Sequence, residues 1–579
     1  LIVLALLVAA LGACGPSATS APTTAAPTTA AAAPTAAPTA TTAPKPTDVP
    51  KPTTPPVAAF QGDKIAAPDC NYGTTDAPAG IKSIVAVDQY TVVFTLCHQN
   101  PTFTQALAFL TNAIQEKSVL NATKGDTTEL TKKPNGTGPY TLKEWVHGDH
   151  ITFEANPNYW GDKPKAKTVI LRWSKEAAQR LLELQSGTVD GITNVAVDDI
   201  ANVQKDAKLK LYSRDPLTIV YLAMNNTKKP FDNEKVRQAV AMGIDRKRIV
   251  DNFYSAGSVV AEQFAPPALK PGHNDAQTWY KYDPAAAKKI LADAGFPNGF
   301  SIDLSYREVT RVYLPSPGKV AQDIQAQLKD IGVTVKLTPI ESSAFIKSAR
   351  AGDQAFYILG WGADYPDATN FYDTHFSAAV KQFGTVYSDI AAEINAGGSI
   401  FDPAERQKHY DKVNDLLKQH VPMIPLAHGT SSDVFKASVK GAFASPIENE
   451  KFYVMDAGSD KLVYMQNAEP GVLWCADEED GETFRACLQI YESLLTFKTG
   501  GVDVVPSLAE KWTSSADGLV WTFNLRKGVK FFSGHELDAN DVVASFESQW
   551  NEASPNHTGE KLGYTYFGSF FGAFLNHKK

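Results

Sequence analysis

The stretch Phe356-Tyr357-Ile358-Leu359-Gly360-Trp361-Gly362-Ala363-Asp364-Tyr365-Pro366-Asp367-Ala368-Thr369-Asn370-Phe371 decides the fold. Its first four residues are a short apolar run, which predicts a buried strand. The rest sets two acids among aromatics, glycine and proline. Ligands in α/β lobes sit just beyond strand ends. The loop therefore predicts a site that holds a cationic group against an aromatic wall. The competing structural reading is a Pro/Gly loop whose aspartate only caps a helix.

The surrounding pattern extends the α/β reading. Glu234 to Ile249 has the spacing of an amphipathic helix, and Val320 to Ile331 of another. Val333 to Leu337 reads as the strand that follows. Tyr90 to Leu96 and Leu519 to Leu525 also read as strands, the second entered through a turn at Asp517-Gly518.

The apolar run Leu1 to Ala13 fits a secretory signal and is too short to span a membrane. Leu11-Gly12-Ala13-Cys14 resembles a bacterial lipobox, which implies that Cys14 is acylated and that residues 1–14 are a lipoprotein signal. Residues 15–56 cycle through Ala, Pro and Thr and cannot bury enough surface to offset folding entropy. They are expected to form a semi-rigid spacer. The remaining chain is too long for one simple core and predicts two lobes or more.

Of the 579 residues, 55 are Lys or Arg and 63 Asp or Glu, a formal net charge of −8 with the basic residues scattered. That footprint argues against nucleic acid as a partner. Four cysteines remain beside Cys14. Cys70 with Cys97 and Cys475 with Cys487 are sequence-local pairs, and outside the cytoplasm two disulfides are the simplest reading. Four cysteines allow three connectivities, so the pairing stays open. Without a Cys-x-x-Cys pair or a dense histidine cluster, no metal site is expected. Without a Gly-x-Ser-x-Gly elbow, a His-Glu-x-x-His site or a phosphate loop in a supporting context, no enzyme is expected. No cofactor is called for.

Several segments together resemble the family 5 extracellular solute-binding proteins, the receptors of peptide, nickel and some sugar ABC importers. They are Asn135-Gly136-Thr137-Gly138-Pro139-Tyr140, Glu154 to Trp160, Tyr221 to Asn225 with Pro230 to Ala239, the Trp361 tract, and Ile424 to His428. The resemblance implies an α/β, two-lobed periplasmic-binding-protein-like fold of type II, similar to the large cluster C. Segments that open the family's domain come last here: Lys461 to Tyr464, Ile490 to Leu494, Val505 to Glu510, Leu525 to Phe531 and Leu537 to Val543. The chain therefore looks circularly permuted, joined through Asp456-Ala457-Gly458-Ser459-Asp460, with Lys579 expected close in space to the stretch between Pro56 and Gly80. One lobe is expected over residues 218–440. The other, with a subdomain, is expected over 57–217 plus 441–579.

The resemblance to dipeptide-binding relatives implies that Arg311 holds a peptide carboxylate and Asp364 its amino group. A planar guanidinium suits a carboxylate, and an enclosed carboxylate suits an ammonium. Arg307 and Asp367 are the neighbouring competitors. Trp361, Tyr313 and Asn370 are candidates for the cleft wall, and His428 is read as structural. The implied function is a lipid-anchored receptor on the extracellular side of the membrane. It would be a monomer that takes short peptides and delivers them to ABC permease subunits. The alternatives are an oligosaccharide receptor of the same family and a surface adhesion protein.

Overall fold

The computed structural model describes residues 60–73, 78–377, 380–559 and 563–577. The signal, Cys14, the spacer and Lys579 lie outside the described residues. Three large sheets, a two-stranded one and their covering helices divide into two lobes, with the two largest apolar cores separate.

The second-lobe sheet has six strands, in the order Val259–Val260, Met423–His428, Thr218–Met224, Phe356–Gly362, Phe300–Tyr306 and Val333–Pro339. Thr218–Met224 is central and buried along its whole length, as expected of a strand covered on both faces. It pairs antiparallel with Phe356–Gly362 and with Met423–His428. The register slips between Pro425 and Ala427, where proline has no N–H to offer the ladder. Phe300–Tyr306 and Val333–Pro339 run parallel, joined by the helix Pro317–Asp330.

Glu234 to Ile249 is not one helix. It forms Glu234–Met242 and Arg246–Phe253. The side chain of Asp245 accepts from the Arg248 N–H at 3.0 Å. That cap starts a new helix and breaks the continuous pattern that periodicity suggested.

Both parts of the chain interleave in the other two sheets. The seven-stranded sheet places Lys461–Gln466 between Thr168–Trp173 and Gly191–Ile192, parallel to both. The five-stranded sheet joins Thr91–Leu96 to Val520–Leu525. Ala79 bridges Gly572, so the two far parts of the described chain meet. Gly572 has φ 73°, and a Cβ there would collide with the Pro78 carbonyl, so glycine is required at this contact. Ser432–Lys436 pairs with Leu209–Ser213 in the seven-stranded sheet. The structure joins Cys70 to Cys97 and Cys475 to Cys487, with Cα atoms 5.6 and 6.4 Å apart. None of the described helices is long and apolar enough to cross a membrane.

A buried ion network lies where the chain leaves and re-enters the first lobe. The Arg214 guanidinium donates to Asp433 at 2.8 Å and to Glu450 at 2.9 Å, and Arg485 donates to Glu450 at 2.8 Å. Arg214 also reaches the Ser431 hydroxyl at 2.8 Å and the Ser445 carbonyl at 2.9 Å. Burial alone would raise the Glu450 carboxyl, but Arg485 and Arg214 outweigh it and hold it below the usual range. Burial pushes Asp433 up against the pull of Arg214.

Glu450→Gln leaves Arg214 paired with Asp433 and Arg485 with only the longer contact to Glu448 at 3.5 Å. Such a broken buried pair is expected to remove about 3 kcal/mol or more of stability, read as a lowered urea midpoint. An unchanged midpoint would show that the network carries no net stability.

Candidate functional site

Phe356–Gly362 ends in the loop that carries Asp364, and Thr369–Phe376 is the helix that follows. Gly360 lies in the strand because the Tyr313 ring packs where its Cβ would be. Asn370 is 4% exposed and ties the loop together. Its Oδ1 accepts from the Trp361 indole N–H at 3.1 Å and from the Asp364 N–H at 3.0 Å, and its Nδ2 donates to Asp364 Oδ2 at 2.9 Å. Asn370 is thus a brace rather than a wall. Trp361 is half-buried, with its ring edge-on to His375 at 5.5 Å.

Asp364 is half-buried, and its other oxygen accepts from the Tyr566 hydroxyl at 2.7 Å. Tyr566 belongs to the helix Thr565–Phe571, part of the first-lobe core, so this bond crosses between the lobes. Beside it Tyr365 packs on Phe570 with ring centroids 5.1 Å apart. Enclosure pushes the Asp364 carboxyl up to about 6. Hydrogen bonds from Asn370 and Tyr566 oppose this shift, and the Glu479 charge adds to it. Among the described residues no Lys, Arg or His pairs with Asp364; its partners are neutral.

Asp367, the competing acid, is fully engaged. Arg406 donates to both of its oxygens, at 2.9 and 2.7 Å, and the Thr369 N–H and hydroxyl each add a bond at 3.0 Å. Asp367 therefore fixes the loop, and Asp364 remains the acid with an uncompensated charge.

The two arginines separate in the same way. Arg307 donates to the Ser342 hydroxyl at 2.9 Å and to the Tyr313 hydroxyl at 2.6 Å. Arg311 is exposed, with backbone bonds to Leu314 and no carboxylate partner among the described residues. Tyr313 is half-buried between Arg307 and Tyr254, whose hydroxyl donates to the Tyr313 carbonyl at 2.8 Å. His428 is buried with Nδ1 2.7 Å from the Thr218 carbonyl, and burial lowers its pKa to about 3, so it is neutral. Among the described residues no group of three or more His, Cys, Asp or Glu could hold a metal.

Tyr566 and Glu479 were missed from sequence. Nothing in Tyr564-Thr565-Tyr566-Phe567 marks a partner for a residue 202 positions away.

Comparison with known proteins gives one consistent result. The sequence profile of the bacterial extracellular solute-binding proteins, family 5 Middle, matches residues 35–383 and 503–566. The heme-binding protein A of Haemophilus influenzae is 31% identical over 386 residues, covering 65% of this chain and 70% of that protein. The dipeptide-binding protein of Escherichia coli is 31% identical over 382 residues, covering 65% and 71%. Among solved structures, the dipeptide binding protein from Pseudoalteromonas in complex with Met-Leu superposes with a TM-score of 0.59 at 25% identity, covering 65% of this chain and 76% of that one.

The raised carboxyl of Asp364 sets a pH signature. Between its ordinary value of 3.8 and about 6, the folded protein holds a proton that the unfolded chain has released. Stability from this group therefore falls as pH rises through that window and is flat above it. Unfolding free energies of the wild type and Asp364→Asn, measured from pH 4 to 7, are expected to differ in slope only below about pH 6. Parallel profiles would place the Asp364 titration elsewhere.

Proposed function

We infer a peptide receptor from the premise that the chain belongs to the family 5 bacterial extracellular solute-binding proteins, two-lobed α/β proteins of the periplasmic-binding type that act as transport receptors rather than enzymes. Within that family, we propose that this chain binds short peptides between its lobes and delivers them to an ABC importer. The observation that carries the reading is the enclosed Asp364 carboxylate, which among the described residues meets only neutral donors and no cation. A peptide's terminal ammonium would supply that charge, and the low dielectric of a closed cleft would strengthen the pairing. Arg311, exposed and unpaired, is proposed to take the peptide's carboxylate. Tyr566 and Asp364 come from different lobes, so a ligand seated on them would favour the closed state.

We further propose that the lipobox-like Cys14 anchors a monomeric receptor to the outer face of the membrane. The segment order is proposed to be a circular permutation. Three observations support this: both parts of the chain share two sheets, Ala79 meets Gly572, and the family profile matches in two separate blocks. In this reading the described residues from Phe60 to about Pro216, together with those from Ser432 onward, form one lobe.

Isothermal titration calorimetry on protein freed of co-purified ligand tests the peptide reading. Di- to tetrapeptides are expected to bind, with at least a tenfold loss when the amine is acetylated or the carboxylate amidated. Asp364→Asn and Arg311→Ala are expected to produce the corresponding losses. Wild-type affinity is also expected to weaken by up to about tenfold per pH unit below about pH 6, where Asp364 becomes protonated. If no free peptide of these lengths binds, the short-peptide reading fails, and sugars and longer peptides become the ligands to test.

A further inference from the structure

A second hollow lies within the first lobe, apart from Asp364 and Arg311. Its volume is about 400 Å³, within the range of small-molecule sites. Tyr159, Trp160 and Tyr453 supply aromatic walls, and Leu110 and Leu488 add aliphatic surface. No residue of the second-lobe sheet lines it, so its walls do not depend on lobe closure.

Two ammonium groups and one carboxylate line this space: Lys451, Lys498 and Glu492. Glu492 is already satisfied. Its Oε1 accepts from the Tyr159 hydroxyl at 3.0 Å, and its Oε2 accepts from the Thr137 hydroxyl and the Trp160 indole N–H, both at 2.8 Å. Lys451 is in a different position. It is 9% exposed and donates to the Thr496 hydroxyl at 3.1 Å and the Phe497 carbonyl at 2.7 Å. Both acceptors are neutral, and among the described residues no carboxylate forms an ion pair with its ammonium. Burial lowers its pKa to about 8, with the Glu492 charge opposing, so it is cationic at neutral pH. An ammonium has three donors, so one N–H remains, and the charge has Glu492 only as a longer-range partner, without an ion pair. Lys498 is exposed and lies 4.0 Å from the equally exposed Asp503, a weak pairing.

We propose that this cavity binds a small carboxylate with a flat apolar body, its oxygens on Lys451 and its body against the Tyr159, Trp160 and Tyr453 rings. Arg526 stands over the Trp160 ring at 4.7 Å without lining the cavity, so its charge adds to the local positive field. A cationic ligand would meet two ammoniums, and the Glu492 carboxylate that could attract it already accepts three hydrogen bonds. A neutral one would leave the buried Lys451 ammonium without a directly paired anion, which is costly. The inference is independent of peptide binding, because it uses neither Asp364 nor Arg311.

The probe is 4-methylbenzoate, with 4-methylbenzyl alcohol as its neutral counterpart, titrated into the full chain by calorimetry and tryptophan fluorescence. The acid is expected to bind saturably, and the alcohol at least tenfold more weakly. Lys451→Met is expected to weaken the acid at least tenfold. Thr499→Trp, at an exposed position on the cavity wall, blocks the space and gives up only a hydrogen bond to the Tyr453 hydroxyl, so it decides the matter even if Lys451→Met fails to fold. It too is expected to reduce binding, whereas Asp364→Asn is expected to leave it unchanged. Absence of saturable binding, equal affinity for acid and alcohol, or undiminished binding in Thr499→Trp would overturn the proposal.

Discussion

Everything in this architecture depends on the buried cluster in which Arg214 and Arg485 meet Asp433 and Glu450. The four side chains come from the segment leaving the first lobe, the segment returning to it, the stretch beyond that return, and the helix after the central strand Lys461–Gln466. Desolvating these charges is expensive, and only near-complete pairing offsets the penalty. Such a cluster ties its four backbone segments together at the point where the chain passes between the lobes.

The second-lobe sheet carries the Asp364 loop onto the helix Thr565–Phe571. Two acids three residues apart then behave in opposite ways. Asp367 is neutralised by Arg406, and the pair acts as a rigid strut. Asp364 is pinned by Asn370 and Tyr566, which orient its carboxylate without neutralising it. Preorganised orientation without charge compensation is what an ammonium-binding group needs, because the ligand then supplies the missing term. The same contrast separates Arg307, held by Tyr313 and Ser342, from Arg311, which has no carboxylate partner among the described residues.

Sequence reading captured those parts of the molecule whose cause is local. Phe356-Tyr357-Ile358-Leu359 reads as a buried strand and is one, because an apolar run is written residue by residue; the acid-aromatic loop after it was readable as a candidate site, with helix capping as the competing reading. The single helix read from Glu234 to Ile249 failed because the Asp245 cap outweighs periodicity. Tyr566 was invisible because its role comes from a contact between lobes. The roles of Asp364 and Asp367 could not be separated in advance either. Only the fold brings Arg406 to one and withholds a cation from the other.

The interleaved sheets bear on the segment order as well. Lys461–Gln466 occupies the middle of the seven-stranded sheet, with Thr168–Trp173 on one side and Gly191–Ile192 on the other. A central strand cannot be added to a finished sheet, since its neighbours would otherwise hold unpaired backbone groups. The first lobe therefore cannot complete its core until the late segments are present. The second-lobe sheet is under no such constraint, because its strands all fall between Thr218 and His428. A reordered chain can keep this architecture because the sheets require particular neighbours, not a particular order of arrival. In the Asp456-to-Asp460 region, a few exposed residues are enough to lead the chain into the central strand.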